Sequence, residues 1–260
     1  MNSVCKITLM LGMLGLSVVM PPLQAQSKQA LTVQVSSVDL LNQGKEKARQ
    51  GNLRGALEDY TLTIEANPKL TEAYIKRGLT QHDLGDYRRE IADFEQAVQI
   101  EPKNYQAIFN RGEARSDVGD VAGAIADLNH AIELKPNYAE AYSNRGIIYA
   151  MQGNLNQAAA DLDQAIKFNP NYADAYYNRG KTRTALRDAK GAIADFTQAI
   201  KLNPSLAEAY GNRGILYSQL GNKQAALMDL QQAAQLFQKQ GDRDSYQQTL
   251  EFIQQLQLEK

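Results

Sequence analysis

Two charged residue types recur along this chain every 34 residues, and both could bind a charged partner. One series consists of the aspartates Asp59, Asp93, Asp127, Asp161, Asp195 and Asp229. The other consists of the arginines Arg77, Arg111, Arg145, Arg179 and Arg213. A planar guanidinium group can donate two parallel hydrogen bonds to one carboxylate, whereas an ammonium group cannot. The arginines could therefore hold an anionic ligand or form structural ion pairs with the aspartates, and we favour the ion pairs.

The spacing permits two ways of pairing the two series. Pairing within a 34-residue unit leaves Asp59 over, because Gln43 stands where the first arginine would be. Pairing with the arginine of the next unit leaves Asp229 over. We expect pairing with the next unit, because it would mark the register of every junction. The net stabilisation should be small, since the cost of desolvating partly buried charges offsets their attraction.

Prolines and glycines with the same period divide the chain into units. The prolines are Pro68, Pro102, Pro136, Pro170 and Pro204. One glycine series is Gly44, Gly78, Gly112, Gly146, Gly180 and Gly214, and a second is Gly51, Gly85, Gly119, Gly153 and Gly221. Proline cannot continue a helix, and glycine readily adopts the left-handed conformation that ends one. A period of this size predicts stacked helical hairpins rather than one globular core.

Small and large residues alternate in each unit in the way that packed hairpins require. The first glycine series faces a series of alanines, Ala56, Ala124, Ala158, Ala192 and Ala226, so the two helices can approach closely. Bulky residues four positions after this series fill the space beyond: Tyr60, Phe94, Leu128, Leu162, Phe196 and Leu230. Glu90 interrupts the alanine series and should loosen the second unit. Arg187 interrupts the second glycine series, so that turn is either strained or differently shaped.

These residues resemble the tetratricopeptide repeat, a helix-turn-helix unit of 34 residues. The resemblance implies an all-α fold, a right-handed α-α superhelix (solenoid) with thirteen helices. The expected repeats are 37–70, 71–104, 105–138, 139–172, 173–206 and 207–240. The usual tryptophan at the fourth position of a repeat is replaced, for example by Tyr74, and the usual leucine at the seventh by the arginines.

The last segment, residues 241–260, is expected to form a helix that caps the array. An open solenoid end would otherwise expose an apolar face. Tyr246, Leu250, Ile253 and Leu256 share one face of a helix over 244–258, with glutamines and glutamates on the other. A partner-binding helix is the alternative.

The sixth position of the repeats carries a series of asparagines: Asn110, Asn144, Asn178 and Asn212. In the tetratricopeptide fold this position faces the concave groove. The series is similar to the asparagine ladder in the superhelix of the O-linked N-acetylglucosamine transferase, which implies binding of a peptide backbone. The second position is acidic in most repeats, as at Glu140 and Asp174, so basic or polar segments are favoured over a terminal carboxylate. Tolerated surface asparagines are the alternative interpretation.

The amino terminus has the three-part pattern of a secretory signal peptide. A short basic region is followed by fourteen apolar or small residues, 7–20, and then by Pro21, Pro22 and Ala25. We expect a signal peptide over 1–25, a linker over 26–36, and export to the periplasm or an equivalent lumen, or secretion. A retained membrane anchor is the alternative, although the apolar stretch is shorter than the roughly 20 residues that span a bilayer. We expect no stable membrane span after cleavage.

Composition excludes several other classes of function. The chain has 28 basic and 29 acidic residues, so no nucleic-acid partner is expected. Its one cysteine, Cys5, and its two distant histidines predict no disulfide, metal site or other cofactor. We expect a non-enzymatic scaffold that binds a protein or peptide, with no small-molecule substrate. The alternatives are an assembly factor for an envelope or membrane complex, or the substrate-recruiting subunit of a separate enzyme.

Overall fold

The computed structural model of the protein describes residues 36–258. The predicted signal peptide and nearly all of the predicted linker lie outside the described residues, as do residues 259 and 260.

Residues 36–258 form thirteen α-helices and no β-strand, in agreement with the prediction. The helices are α1 (Ser37–Arg49), α2 (Leu53–Ala66), α3 (Thr71–Asp83), α4 (Tyr87–Ile100), α5 (Tyr105–Asp117), α6 (Val121–Leu134), α7 (Ala139–Met151), α8 (Leu155–Phe168), α9 (Ala173–Ala185), α10 (Ala189–Leu202), α11 (Ala207–Gln219), α12 (Lys223–Gln240) and α13 (Arg243–Leu258). Helices α1 to α12 pair as six hairpins, and each hairpin packs on the next to form the right-handed solenoid. No described helix has both the length and the apolar character of a membrane span.

The turn inside each hairpin contains one left-handed residue, and in every hairpin except the fourth a side chain also caps the second helix. Glycines occupy the left-handed position in five hairpins, with φ between 75° and 81°. The next residue supplies this cap; Asp120, for example, accepts a hydrogen bond from the backbone N–H of Gly123. The periodic prolines follow the ends of the second helices, as Pro136 follows α6, and so lie in the loops between repeats.

Arg187 takes the left-handed position in the fifth hairpin, with φ of 63°. The turn therefore keeps the shape of the glycine turns. Of the two expectations, a strained turn or a differently shaped one, the structure has the strained turn. A side chain in this conformation places its Cβ close to the following carbonyl oxygen, which costs roughly 1–2 kcal/mol.

The helices of each hairpin cross at the first glycine series. A Cβ atom on Gly44 would lie 2.5 Å from the ring of Tyr60, and one on Gly146 would lie 3.0 Å from Leu162. Both of these large residues are at most 1% exposed. The core therefore consists of a row of close helix crossings at these glycines. At each crossing a large side chain from the second helix fills the space.

Glu90 lies inside the second hairpin without interrupting its helix. Helix α4 runs unbroken past it from Tyr87 to Ile100, and Glu90 is buried, with 3% of its surface exposed. Its carboxylate lies 3.2 Å from the imidazole Nδ1 of His82, which gives the side chain a polar contact inside the hairpin.

Helix α13 packs on α12 and covers the end of the array. Ile253 and Leu256 are buried there, as expected, and Tyr246 is partly buried. Leu250 was wrongly placed on the covered face, because it is 37% exposed and Thr249 is buried instead. The helix is turned so that the face centred on Thr249 and Ile253 meets α12, which leaves Leu250 at its margin.

Candidate functional site

The first helices of the hairpins line the inner side of the array. Successive first helices contact each other directly at several junctions, such as α5 with α7 and α7 with α9, whereas successive second helices approach less closely. The first helices therefore lie on the shorter, inner path of the curve. We call the exposed side of α3, α5, α7, α9 and α11 the inner face.

All four predicted asparagines are half-buried on the inner face, but they are not equivalent. Asn144 donates a hydrogen bond of 2.7 Å from its amide to Glu113 of the preceding repeat. Asn212 likewise donates to the hydroxyl of Tyr177, at 3.2 Å. The amides of Asn110 and Asn178 make no hydrogen bond within residues 36–258. Two of the four amides thus keep their full capacity to bind a ligand.

The acidic residues at the second position are also unequal. Glu140 and Asp174 are exposed, and neither forms an ion pair with the described part of the chain. Glu72 is paired, because Lys45 Nζ of the first repeat lies 2.5 Å from its carboxylate. The acidic residues at this position that form no ion pair with the described part of the chain therefore lie in the fourth, fifth and sixth repeats, where Glu208 is also exposed.

Asn42 belongs to the same series and was overlooked in the sequence. It occupies the sixth position of the first repeat and is exposed on α1. The signal that could have found it is the period itself, since Asn42 lies two repeat lengths before Asn110. Lys76 interrupts the series between these two asparagines.

The arginines and aspartates pair within each repeat, so the expectation of pairing with the next repeat is wrong. Each guanidinium meets its carboxylate through two hydrogen bonds, and the Nη2 to Oδ1 distances lie between 2.6 and 2.8 Å. The pairs are Arg77 with Asp93, Arg111 with Asp127, Arg145 with Asp161, Arg179 with Asp195, and Arg213 with Asp229. Because the two helices of a hairpin cross closely, residues 16 apart lie at the same height in it. The aspartate is therefore nearer to the arginine of its own repeat than to the arginine of the next repeat.

Most of these arginines also bridge to the preceding repeat, but through a different residue. Arg145 donates from Nη1 to Asn129, at 2.5 Å, and Arg179 donates to Asp163, at 2.6 Å. Arg77 and Arg213 donate to threonines at the same place, Thr61 and Thr197. At these junctions the arginine therefore contacts the residue that stands two positions after the aspartate of the preceding repeat, and this contact marks the register between the two repeats.

The arginines have little capacity left for an anionic ligand. The hydrogen bonds that Arg145 donates to Asp161 raise the pKa of its guanidinium group above the ordinary value, although burial acts in the opposite direction. The guanidinium carbon also lies 5.5 Å from the ring centre of Tyr142, one turn earlier on α7. Because all three guanidinium nitrogens of Arg145 donate to protein groups, the geometry favours a structural role.

Asp59, whose repeat has Gln43 in place of the periodic arginine, is paired with a lysine instead. Lys47 Nζ lies 2.8 Å from both oxygens of the Asp59 carboxylate. Arginines at the same place in the third and fifth repeats, Arg115 and Arg183, add a second partner to Asp127 and Asp195. The sequence contained a signal for these contacts, because a basic residue stands twelve positions before the aspartate in three repeats.

A cleft of about 460 Å³ opens on the inner face between the second, third and fourth repeats. Its polar lining consists of His82, Glu90, Asn110, Glu113, Ser116, Asp117 and Asn144. No group of three His, Cys, Asp or Glu residues within 36–258 is arranged to hold a metal ion.

The fold places the protein in the class of curved arrays of helical hairpins that end in a capping helix. Comparison with known families identifies the family. The chain matches the family model described as TPR repeat over 115–153, 148–186 and 188–221. It matches the model described as tetratricopeptide repeat over 71–104 and 207–242. Together these matches cover more than half of the chain, so the protein belongs to the tetratricopeptide repeat family.

Solved structures resemble the chain in fold. The crystal structure of MamA is 25% identical, and the match covers 64% of this chain and 96% of that one, with a TM-score of 0.57. PilW, described as a widely conserved type IV pilus biogenesis factor, is 23% identical over 82% of this chain and 98% of its own, with a TM-score of 0.72. YrrB, described as having an unusual peptide-binding site, is 23% identical over 68% and 91%, with a TM-score of 0.55. The search of curated proteins gives no match.

Proposed function

We propose that the six repeats form a non-enzymatic scaffold that binds an extended segment of a partner polypeptide on the inner face. The observation that carries this proposal is the pair of unpartnered amides of Asn110 and Asn178, each half-buried at the same position of its repeat. Membership of the tetratricopeptide repeat family fits a protein-interaction scaffold, since proteins of this fold are in general interaction modules rather than enzymes.

Amide side chains suit recognition of a polypeptide backbone. Each amide offers two donors and an acceptor, which match the carbonyl and N–H groups of an extended strand whatever its side chains. Because Asn110 and Asn178 make no hydrogen bond to the protein, a ligand can use them without breaking one. Asn144 and Asn212 would instead exchange their hydrogen bonds to Glu113 and Tyr177 for contacts with the ligand.

Charge on the inner face limits the kind of segment that would bind. The exposed carboxylates of Glu140 and Asp174 would repel an acidic segment or a free carboxyl terminus, and would favour a basic or polar one. The partner is therefore proposed to be a protein or peptide of this character, not a nucleic acid or a small-molecule substrate. An assembly factor for an envelope complex and a substrate-recruiting subunit would both use this surface and differ only in the partner.

We also propose that residues 1–25 direct export, so that the scaffold acts in the periplasm, in an equivalent lumen, or outside the cell. The three-part pattern of this segment supports the proposal. Fractionation of producing cells, followed by amino-terminal sequencing of the protein, tests it. A mature chain that begins at Gln26 in the exported fraction is expected, and an intact Met1 in the cytosolic fraction would contradict it.

Peptide selection followed by mapping tests the binding function. Peptides of about twelve residues are selected from a random library on the full chain, and their binding is followed through backbone amide NMR shifts. We expect the largest shifts along α5, α7 and α9 and small ones along α6, α8 and α10. Shifts confined to the second helices, or a library that yields no binding peptide, would overturn the proposal.

A further inference from the structure

The cleft between the second, third and fourth repeats has an unusual balance of charge. Its lining includes three carboxylates, those of Glu90, Glu113 and Asp117, and no lysine or arginine. Lys76, the basic residue at the sixth position of the second repeat, does not line it. The imidazole of His82 is the only basic group in the lining, and it lies 3.2 Å from Glu90 and 3.8 Å from Asp117.

Glu90 differs from the other deeply buried carboxylates of the array. The aspartates paired at the hairpin crossings each contact a lysine or an arginine. Glu90 is only 3% exposed, yet among residues 36–258 its carboxylate has a hydrogen-bond partner only in His82, which contacts one of its two oxygens. The other oxygen receives no hydrogen bond from residues 36–258, although the side chain lines the cleft. A buried carboxylate with an unused oxygen is a favourable contact for a donor that enters from outside.

Glu113 is a second carboxylate in the lining of the cleft. Asn144 donates a hydrogen bond of 2.7 Å to one of its oxygens, and no cation contacts the other. Burial and the nearby carboxylates of Asp117 and Glu140 raise the pKa of Glu113. Burial is also the main reason that the pKa of Glu90 is raised. For both carboxyl groups burial is the largest cause of the raised pKa, and it outweighs the opposing effect of His82.

Part of the cleft wall is apolar. Leu79, Leu128, Ile147 and Ile148 line it beside the carboxylates. This combination suits a long side chain that has a methylene stem and a cationic end, because the stem packs on apolar surface while the charge meets the acids. A bare metal ion suits it less, since no three ligating side chains converge within the described residues.

We propose that this cleft binds one lysine or arginine side chain of the polypeptide held on the inner face. The inference rests on the proposed function and adds a specificity to it. Asn110 and Asn144, which line the cleft, also belong to the asparagine series, so the backbone that binds there would pass directly over the opening. The cationic end would donate to the free oxygen of Glu90 and to Glu113.

Blocked single amino acids test the cleft without a full peptide. N-acetyl-lysine N-methylamide, its arginine analogue and the norleucine analogue are titrated into the full chain at neutral pH, and binding is read from the NMR signals of residues 110–117. We expect both cationic probes to bind at least about tenfold more tightly than the norleucine probe. Glu90→Gln and Glu113→Gln together should abolish the preference, whereas Glu133→Gln, on an exposed part of α6, should leave it unchanged.

Equal binding of lysine and norleucine probes, or a preference that survives in the double variant, would overturn the inference. Should the double variant fold poorly, Asp117→Asn at the exposed edge of the cleft gives a milder test and should reduce the preference severalfold. Selected peptides that bind the inner face without enrichment of lysine or arginine would defeat this inference alone. If no selected peptide binds the inner face while the cationic probes still bind in the cleft, the proposed function is contradicted instead.

Discussion

Arg145 and Asp161 are joined by two parallel hydrogen bonds of 2.7 Å across the two helices of one hairpin. The same guanidinium reaches Asn129 of the preceding repeat, so one side chain links a hairpin internally and to its neighbour. Asp161 is nearly buried, and Arg145 keeps only 17% of its side-chain surface exposed. The pair is therefore a structural joint of the array.

Replacing one partner of this joint should be costly. Arg145→Leu leaves the Asp161 carboxylate buried without a cation, and we expect the free energy of unfolding to fall by about 2–4 kcal/mol. The double variant Arg145→Leu with Asp161→Leu should recover most of this loss, because neither charge remains to be desolvated. Urea denaturation of both variants and of the wild type gives the comparison. A double variant as unstable as the single one would show that the charge itself is not the cause.

Arg187 is expected to cost stability through its backbone alone. Arg187→Gly removes the strain of a left-handed side chain and should raise the free energy of unfolding by roughly 1 kcal/mol. The matched change in the preceding repeat, Gly153→Arg, should lower it by a similar amount, since a Cβ there meets no other atom within 4 Å. Thermal melts of both variants test this. Destabilisation by Arg187→Gly would mean that the arginine side chain makes a favourable contact that outweighs the strain.

Two glycines inside first helices should respond to alanine in opposite ways. A Cβ at Gly146 would lie 3.0 Å from Leu162 and 3.2 Å from the carbonyl oxygen of Ala158. Gly146→Ala should therefore lower the free energy of unfolding by about 1–2 kcal/mol. A Cβ at Gly211 has Ala233 as its nearest neighbour, at 3.9 Å, so Gly211→Ala should raise it by up to about 1 kcal/mol. Equal changes at both sites in chemical denaturation would contradict close packing at the crossing.

Glu90 should give the array a pH dependence of the opposite sign to that of a paired carboxylate. Its pKa is raised in the folded protein, mainly by burial, so protonation favours folding. This contribution is present below the ordinary glutamate pKa and is lost as the pH rises through the raised value. His82 of α3, which faces Glu90, opposes the shift, whereas Glu113 and Asp117 of α5 reinforce it.

Glu90→Gln should accordingly stabilise the protein at neutral pH and have little effect at acidic pH. Asp93→Asn, which removes the partner of Arg77 in the same hairpin, is the control and should destabilise the protein at neutral pH. Unfolding free energies of the two variants, measured across acidic and neutral buffers, separate these effects. A loss of stability in Glu90→Gln at neutral pH would show that the bond to His82 outweighs the cost of burial.

The period of the prolines and glycines was sufficient to predict the architecture. Pro136 and Gly146 recur in equivalent places in neighbouring repeats, and each has a mechanical effect that does not depend on distant residues. Helix α12 extends to Gln240, which fits the absence of a proline after Pro204. Such signals act locally, so the sequence carries them in full.

The pairing of the charges and the state of the asparagines were not predictable in this way. The strict period allows Asp127 to pair either with Arg111, which stands before it, or with Arg145, which stands after it, and only the close crossing inside the hairpin selects Arg111. Asn110 and Asn144 occupy the same register position, but only Asn144 finds a partner, Glu113 of the preceding repeat, to which its amide donates a hydrogen bond. Differences between repeats, rather than their common pattern, therefore determine which inner-face groups are free.

The measurement that tests the account most directly is the affinity of a selected peptide for the double variant Asn110→Ala with Asn178→Ala. Each lost hydrogen bond contributes roughly 0.5–1.5 kcal/mol, so the dissociation constant should rise by about ten- to a hundredfold. The melting temperature should hardly change, because neither amide bonds to the protein, and Asn156→Ala on the exposed side of α8 should change neither quantity. Fluorescence anisotropy that gives the same dissociation constant for the double variant and the wild type would contradict the account.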